Sequence, residues 1–217
     1  MRVTVHAIPS EPLGQNSYVA WADGHADAVV VDPGFEPELI LQFLQGAGLG
    51  VAAVLLTHGH MDHIAGVPAL KEVFPAAPLC IGAGDAPMLL DPALNLSLPL
   101  LGIEVVVPAA DRLLADGECV GFAGLELEVR EVPGHSPGHV VYVAHAAEPV
   151  AVLGGDVLFA GGIGRTDFPG GCERTLLAGI RAKLFSLPDA ARVFPGHGPP
   201  TTVGHERRTN PFLRRGG

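Results

Sequence analysis

The segment Thr57-His58-Gly59-His60-Met61-Asp62-His63 holds three histidines and a carboxylate within six positions. Imidazole nitrogens and carboxylate oxygens are the usual ligands of zinc and similar divalent ions. The cluster follows residues 51–56, a continuous apolar run of strand length, so it stands where a strand buried on both faces is expected to end. Gly59 lets the backbone turn tightly between two ligands. A solvated histidine-rich turn is the plain alternative. Such a turn has no reason to follow an apolar strand directly.

One loop does not enclose an ion, and the later chain offers three partners. His135 follows Glu131-Val132-Pro133-Gly134, Asp156 follows Leu153-Gly154-Gly155, and His197 follows Phe194-Pro195-Gly196. Each stands beside glycine at the end of an expected strand, where sites in open sheets gather. Alone, each is weak evidence. Together with His58, His60, Asp62 and His63 they make seven ligands, enough for two ions with a bridging water or hydroxide. Two ions about 3.5–4 Å apart generate hydroxide at neutral pH and polarise a carbonyl or phosphoryl oxygen. Hydrolysis is the expected chemistry, and no Ser-His-Asp or phosphate-loop pattern competes with it.

The elements that must carry these residues are legible in the periodicity. Residues 3–8, 17–22 and 28–31 read as strands, and residues 36–45 as a helix with Leu39, Ile40, Phe43 and Leu44 on one face. Gly46 and Gly48 are its expected stops. Residues 64–74 read as one short helix ended by Pro75, and 78–81 as a strand. Residues 85–108 form a long excursion with about one helical turn, either a binding loop or an irregular connector. The second half repeats the theme: strands at 125–132, 140–144, 150–153 and 192–194, and a helix over 173–185 with Leu176, Leu177, Ile180 and Leu184 on one face. Two packed sheets with helices outside would bury all of these runs.

The chain has 217 residues, 48% of them hydrophobic and 17% charged, with a formal net charge of -10. That length suits one domain. The acidity disfavours nucleic acid, whose backbone is met by clustered Lys and Arg. Cys80, Cys119 and Cys172 lack metal-type spacing and are expected to be small packing residues. No signal peptide and no 18-residue apolar run is read, and a cytoplasmic location is the default expectation.

The pattern His-x-His-x-Asp-His, then His, Asp and His at wide spacing, resembles the metallo-β-lactamase superfamily over nearly the whole chain. The resemblance implies an α+β fold, the αββα sandwich of two mixed sheets with helices on the outer faces. It implies that His58, His60 and His135 hold one ion and Asp62, His63 and His197 the other. Asp156 would bridge them, and Asp62, His63 and Asp156 would take part in catalysis. An Asp at the position of Asp32 lies near the metal histidines in that family. It either orients an imidazole from behind or forms the turn before Pro33-Gly34. His139 and His145 match no ligand position and are expected to be structural or surface residues, as are His6, His25 and His205.

Gly154-Gly155-Asp156-Val157-Leu158-Phe159, Gly164-Arg165-Thr166-Asp167-Phe168, Phe194-Pro195-Gly196-His197-Gly198 and the ending Arg208-Thr209-Asn210-Pro211-Phe212-Leu213 are similar to the short bacterial glyoxalase II branch. That likeness implies hydrolysis of hydroxyacylglutathione thioesters, typically S-D-lactoylglutathione, as a small-molecule substrate of a monomer or homodimer. It implies two divalent ions, zinc first, with iron or manganese as alternatives. Arg165 stands where longer relatives use a Lys on glutathione, and either grips a substrate carboxylate or pairs with Asp167. Larger members add a C-terminal helical domain that binds glutathione. Here 20 residues follow His197, Pro199 replaces a substrate-binding Tyr, and Arg207, Arg208, Arg214 and Arg215 leave a small basic ending. The rival within the same fold is a one-iron persulfide dioxygenase using His58, His135 and Asp156. A non-catalytic metal-binding protein is a rival of another class.

Overall fold

The computed structural model describes residues 2–214. Arg215 of the expected basic ending lies outside them. The first sheet holds β1 (Val3–Ser10), β2 (Gln15–Ala22), β3 (Asp27–Val31), β4 (Gly50–Leu55), β5 (Leu79–Gly82) and β6 (Arg112–Leu114) in that spatial order. Its first three strands are antiparallel, and β3 to β6 run parallel. The second half supplies β7 (Cys119–Phe122), β8 (Leu125–Glu131), β9 (Val140–Ala144), β10 (Ala151–Gly155), β11 (Leu158–Phe159), β12 (Gly162–Ile163), β13 (Arg192–Pro195) and β14 (Thr201–Thr202). The second sheet has the order β14-β13-β10-β9-β8-β7, with β10 and β13 parallel, and β11 pairs with β12 apart from it.

Period-two alternation explains the layering. Tyr18, Ala20 and Ala22 of β2, Val29 and Val31 of β3, and Ala53 and Leu55 of β4 face the second sheet, where Leu125, Leu127, Val129, Val140, Tyr142, Ala151 and Leu153 meet them. The intervening residues Val19, Ala28, Val30 and Val54 face outward onto α1 (Pro37–Ala47). Val141, Val143, Val152 and Val193 do the same on the far side, under α5 (Glu173–Gly179) and α6 (Val203–Thr209). The four layers are helix, sheet, sheet, helix, the sandwich that the resemblance implies.

The helices depart from the periodicity in instructive places. Helix α1 continues through Gly46 and stops at Gly48, whose backbone is left-handed. The single helix expected over 64–74 is two: α2 (Met61–Ile64) and α3 (Val67–Val73). The break lies at Gly66, which donates its N–H to Pro33 O at 2.9 Å. A Cβ there would come within 2.6 Å of Gly34 O, so only glycine allows this approach. The excursion over 85–108 is ordered. It starts as a 3-10 helix (Ala83–Leu89) and contains α4 (Ser97–Leu101). On the other face α5 (Glu173–Gly179) runs into an i→i+5 turn (Ile180–Leu184), and α6 (Val203–Thr209) follows β14. The short strands β6, β7 and β14 and helix α6 have no counterpart among the expected elements. Cys80 is buried as expected, but Cys119 and Cys172 are exposed and do not pack.

Candidate metal centre

The parallel runs β3–β4 and β10–β13 deliver their C-terminal ends to one edge of the sandwich. Asp32 follows β3, His58 to His63 follow β4, Asp156 follows β10, and His197 follows β13. His135 comes from the β8–β9 connection. Strand β2 crosses to the second sheet: Asn16 N donates to Gly196 O at 2.7 Å, Asn16 Nδ2 to Pro195 O and Gly198 O, and Tyr18 Oη to Pro195 O at 2.6 Å. Those bonds fix the turn that carries His197.

All seven expected ligands converge. His58, His60 and His135 can place one nitrogen each within a single ion's reach, and so can Asp62, His63 and His197 with their own ligand atoms. His60 Nδ1 and His135 Nε2 lie 2.9 Å apart. His197 Nε2 is 3.2 Å from Asp62 Oδ2. Asp156 lies between the groups: Oδ1 is 3.5 Å from His63 Nε2, and Oδ2 is 3.6 Å from both His135 Nε2 and His197 Nε2. All but His197, which stays partly open to solvent, are buried.

The nitrogens that face the cluster are set from behind. Asp32 accepts from Thr57 N at 2.7 Å, from Thr57 Oγ1 at 2.6 Å and from His63 Nδ1 at 3.0 Å. Because Thr57 Oγ1 donates to Asp32, it accepts from His58 Nδ1 at 3.0 Å. His135 Nδ1 donates to Arg165 O at 2.8 Å. Each ring thereby presents Nε2 to the cluster, the arrangement by which outer partners fix a ligand's tautomer. Asp32 also falls within reach of an ion shared with His58 and His63. Its oxygens are already taken by three donors, so orienting His63 is the role its geometry suits. Its φ of 50 is left-handed, which an Asp tolerates in a turn. The two readings of Asp32 therefore describe one residue.

Burial, followed by the neighbouring imidazoles, holds His58 and His60 well below the ordinary histidine range, so both are neutral and able to ligate. His63 behaves oppositely. Burial pulls it down, but Asp62, Asp156 and Asp32 outweigh burial and raise it to about 10. Burial pushes Asp62 upward, yet His63 and His197 hold it below the usual carboxylate range. Three carboxylates around one edge make a cage that attracts positive charge. Within it, His58 Nε2, His63 Nε2 and Asp156 Oδ1 have no hydrogen-bond partner among the described residues. Buried polar atoms are seldom left so, and divalent ions at this spot would satisfy all three. The donor set fits the two ions that the sequence implies.

His139 is structural: it stacks on His58 at 4.7 Å and accepts from Asp156 N at 3.0 Å through Nε2. His145 is exposed beside Glu128. Arg165 lines the cavity in front of the cluster, but its guanidinium is bidentate to Asp167 at 2.8 and 2.7 Å and lies over the Phe168 ring. Arg207 and Arg208 pair with Asp189. Sequence reasoning missed Asp85. It is fully buried and accepts from Gly59 N at 3.2 Å, Ser136 Oγ at 2.6 Å and Gly138 N at 2.6 Å, tying the two histidine loops together. Its place within an apparently irregular excursion concealed it, and only its proximity to a strand end hinted at it. Gly59 is needed for close approach: a Cβ there would lie 2.5 Å from Met88 Cβ.

Comparison with known proteins agrees with this geometry. Residues 10–197 match the family model of the metallo-beta-lactamase superfamily. The chain is 38% identical to hydroxyacylglutathione hydrolase GloC of Haemophilus influenzae, covering 97% of this chain and 98% of that protein. It is 42% identical to the probable metallo-hydrolase YqgX of Bacillus subtilis, over 95% of each. Among solved structures, BLEG-1 B3 metallo-beta-lactamase superposes with a TM-score of 0.92 at 39% identity, covering 97% of this chain and all of that one. TTHA1623 in a di-iron-bound form gives 0.85 at 38% identity, over 96% and 100%. The chain belongs to the metallo-beta-lactamase superfamily and is a metallo-hydrolase of it.

Proposed function

We propose that this protein hydrolyses glutathione thioesters such as S-D-lactoylglutathione to a hydroxy acid and glutathione. The observation that carries the reading is the position of Asp156, with one oxygen turned to His63 and the other to His135 and His197. In this reading His58, His60 and His135 would hold one ion and Asp62, His63 and His197 the second, with Asp156 between them. Two such ions, zinc first, would supply hydroxide at neutral pH and polarise a thioester carbonyl. The chain's own residues do the rest. Asp32 and the Arg165 carbonyl hold the imidazoles in register. Leu13, Met61, Leu96 and Phe168 wall the cavity of about 240 Å³ in front of the cluster and thin the water there. A carboxylate and a thiol are released, and a thiol with pKa near 8.5 leaves without a general acid. The GloC relative supports the thioester.

The one-iron dioxygenase would use His58, His135 and Asp156. It would leave Asp62, His63 and His197 without a task, and their convergence favours two ions. Metal analysis of purified protein, paired with assays of S-D-lactoylglutathione hydrolysis and of oxygen uptake with glutathione persulfide, tests the proposal. Two equivalents of metal and hydrolysis are expected, with Asp156→Asn reducing kcat at least a hundredfold. One equivalent of iron, with oxygen uptake and no hydrolysis, would overturn it.

A further inference from the structure

The cavity before the metal cluster has two unlike sides. One is the cluster with Arg165. The other is apolar: Leu13, Met61, Leu96, Leu100, Leu101 and Phe168. A second cavity of about 500 Å³ adjoins it across Leu96, Leu100 and Phe168, and its remaining lining is Ala93, Leu98, Pro99 and Pro169. Among the described residues no charged side chain lines it. Leu98 and Leu100 stand 46% and 51% exposed, a large apolar surface at the mouth of a site that must admit water.

This wall is built rather than loose. Asn95 is fully buried, and its Nδ2 donates to Met88 O at 3.0 Å and Val105 O at 2.7 Å. Its Oδ1 accepts from Ser97 N, and its backbone carbonyl accepts from Met61 N at 2.9 Å. Helix α4 is thereby locked to the first residue of α2, the helix that carries Asp62 and His63. Leu96 holds a left-handed backbone, φ 71, at the start of α4 and lines both cavities. A left-handed leucine is costly and persists where its surroundings impose it.

Charge separates the two arms of a thioester. Glutathione carries two carboxylates, and leucine walls give a carboxylate no partner. Arg165, the one Lys or Arg among the described residues that lines the cluster cavity, is already bidentate to Asp167. The charged thiol arm is therefore kept off the leucine wall, which is left for the acyl arm. We propose that the groove of α4 and Phe168 binds an apolar acyl arm, so that medium-chain acyl thioesters are preferred over the short, polar lactoyl group. This rests on the thioester reading for the bond that is cleaved, but not for the shape of the arm.

The test holds the thiol constant: glutathione thioesters with lactoyl, propionyl, butyryl and hexanoyl groups are compared by KM. In parallel, binding of propionate and hexanoate to the metal-loaded protein is measured by calorimetry. Each methylene removed from water is worth about fourfold in affinity, and a half-open groove gives about tenfold from propionyl to hexanoyl. Leu98→Gln, at an exposed position where folding is tolerant, should bring the hexanoyl-to-propionyl ratio toward one in both measurements. Hydrolysis with KM independent of chain length overturns the apolar arm and leaves the thioester reading standing. Tighter hexanoate binding that Leu98→Gln abolishes, without hydrolysis of any thioester, overturns the thioester reading and supports the arm. A dimer that Leu98→Gln dissociates, with an unaltered chain-length profile, assigns the face to a second copy and overturns the proposal.

Discussion

Asp85 joins the loop of His58 to the loop of His135 through three accepted hydrogen bonds, in a place without solvent. Burial pushes its carboxyl up, and the donors Ser136, Gly138 and Gly59 only partly offset this. Removing the side chain leaves Gly59 N, Gly138 N and Ser136 Oγ without an acceptor, and a buried unsatisfied donor costs about 1–3 kcal/mol. Asp85→Ala should therefore lower stability by about 3 kcal/mol or more and loosen the first ion's ligands. Asp85→Asn should fall between, because an amide oxygen keeps part of the set. Thermal melts and competition with a chelator measure the two effects, and unchanged metal retention in Asp85→Ala would remove Asp85 from the metal centre's support. The seven expected ligands were legible because their side-chain chemistry is rare at strand ends. Asp85 was not, because an Asp that accepts from loop backbones has no sequence spacing of its own.

Among the elements, strands with alternating or continuous Val and Leu declared themselves, and β3, β4, β8 and β9 fall within a residue or two of their expected bounds. Edge elements did not, since β6 and β7 are three and four residues long and each buries a single core residue, Leu114 and Val120, too little for a period to show. The break between α2 and α3 was hidden because its cause, the contact of Gly66 with the turn after β3, lies far away in sequence. Long-range side-chain bonds hold such junctions. Asp111 accepts from Leu79 N at 2.8 Å and Lys71 Nζ at 3.0 Å, joining β5 to α3, and these two partners hold its carboxyl below the ordinary range. A depressed carboxylate pKa contributes stability that is present above the unfolded value, near 3.8, and lost as pH falls through the folded value. Asp111→Ala should melt lower than the parent at pH 7, by less than about 1 kcal/mol because the group is half in solvent. The gap should narrow below pH 4. A gap that stays constant from pH 7 to pH 2.5 would assign the effect to packing.

At the scale of the molecule, the candidate metal centre draws its residues from both sheets, which also share one apolar core. Asp32 and the His58–His63 segment come from the first sheet, and His135, Asp156 and His197 from the second. Periodicity predicted two sheets but not which edges meet; the meeting depends on β2 crossing to the turn after β13 through Asn16 and Tyr18. The likeness to a known family supplied the grouping of the expected ligands; the crossing of β2 is legible only in the fold. Ions held between the halves would bind the folded chain and not the unfolded one, whose ligands are scattered over residues 58–197. Ligand that binds only the folded state stabilises it by about 2.7 kcal/mol at a hundredfold excess over Kd. For a chain of this length each kcal/mol moves Tm by about 2–4 °C. Chelation to verified metal loss should thus lower Tm by roughly 5–10 °C, and the ion that restores it at the lowest concentration, among zinc, iron and manganese, is the best candidate for the resident metal. Asp156→Asn should shrink the shift, since its carboxylate lies against both groups, through His135 on one side and His63 and His197 on the other. Superimposable melts with and without metal would mean that the ions do not tie the halves together, and the seven side chains would then need another reason to be buried around one point.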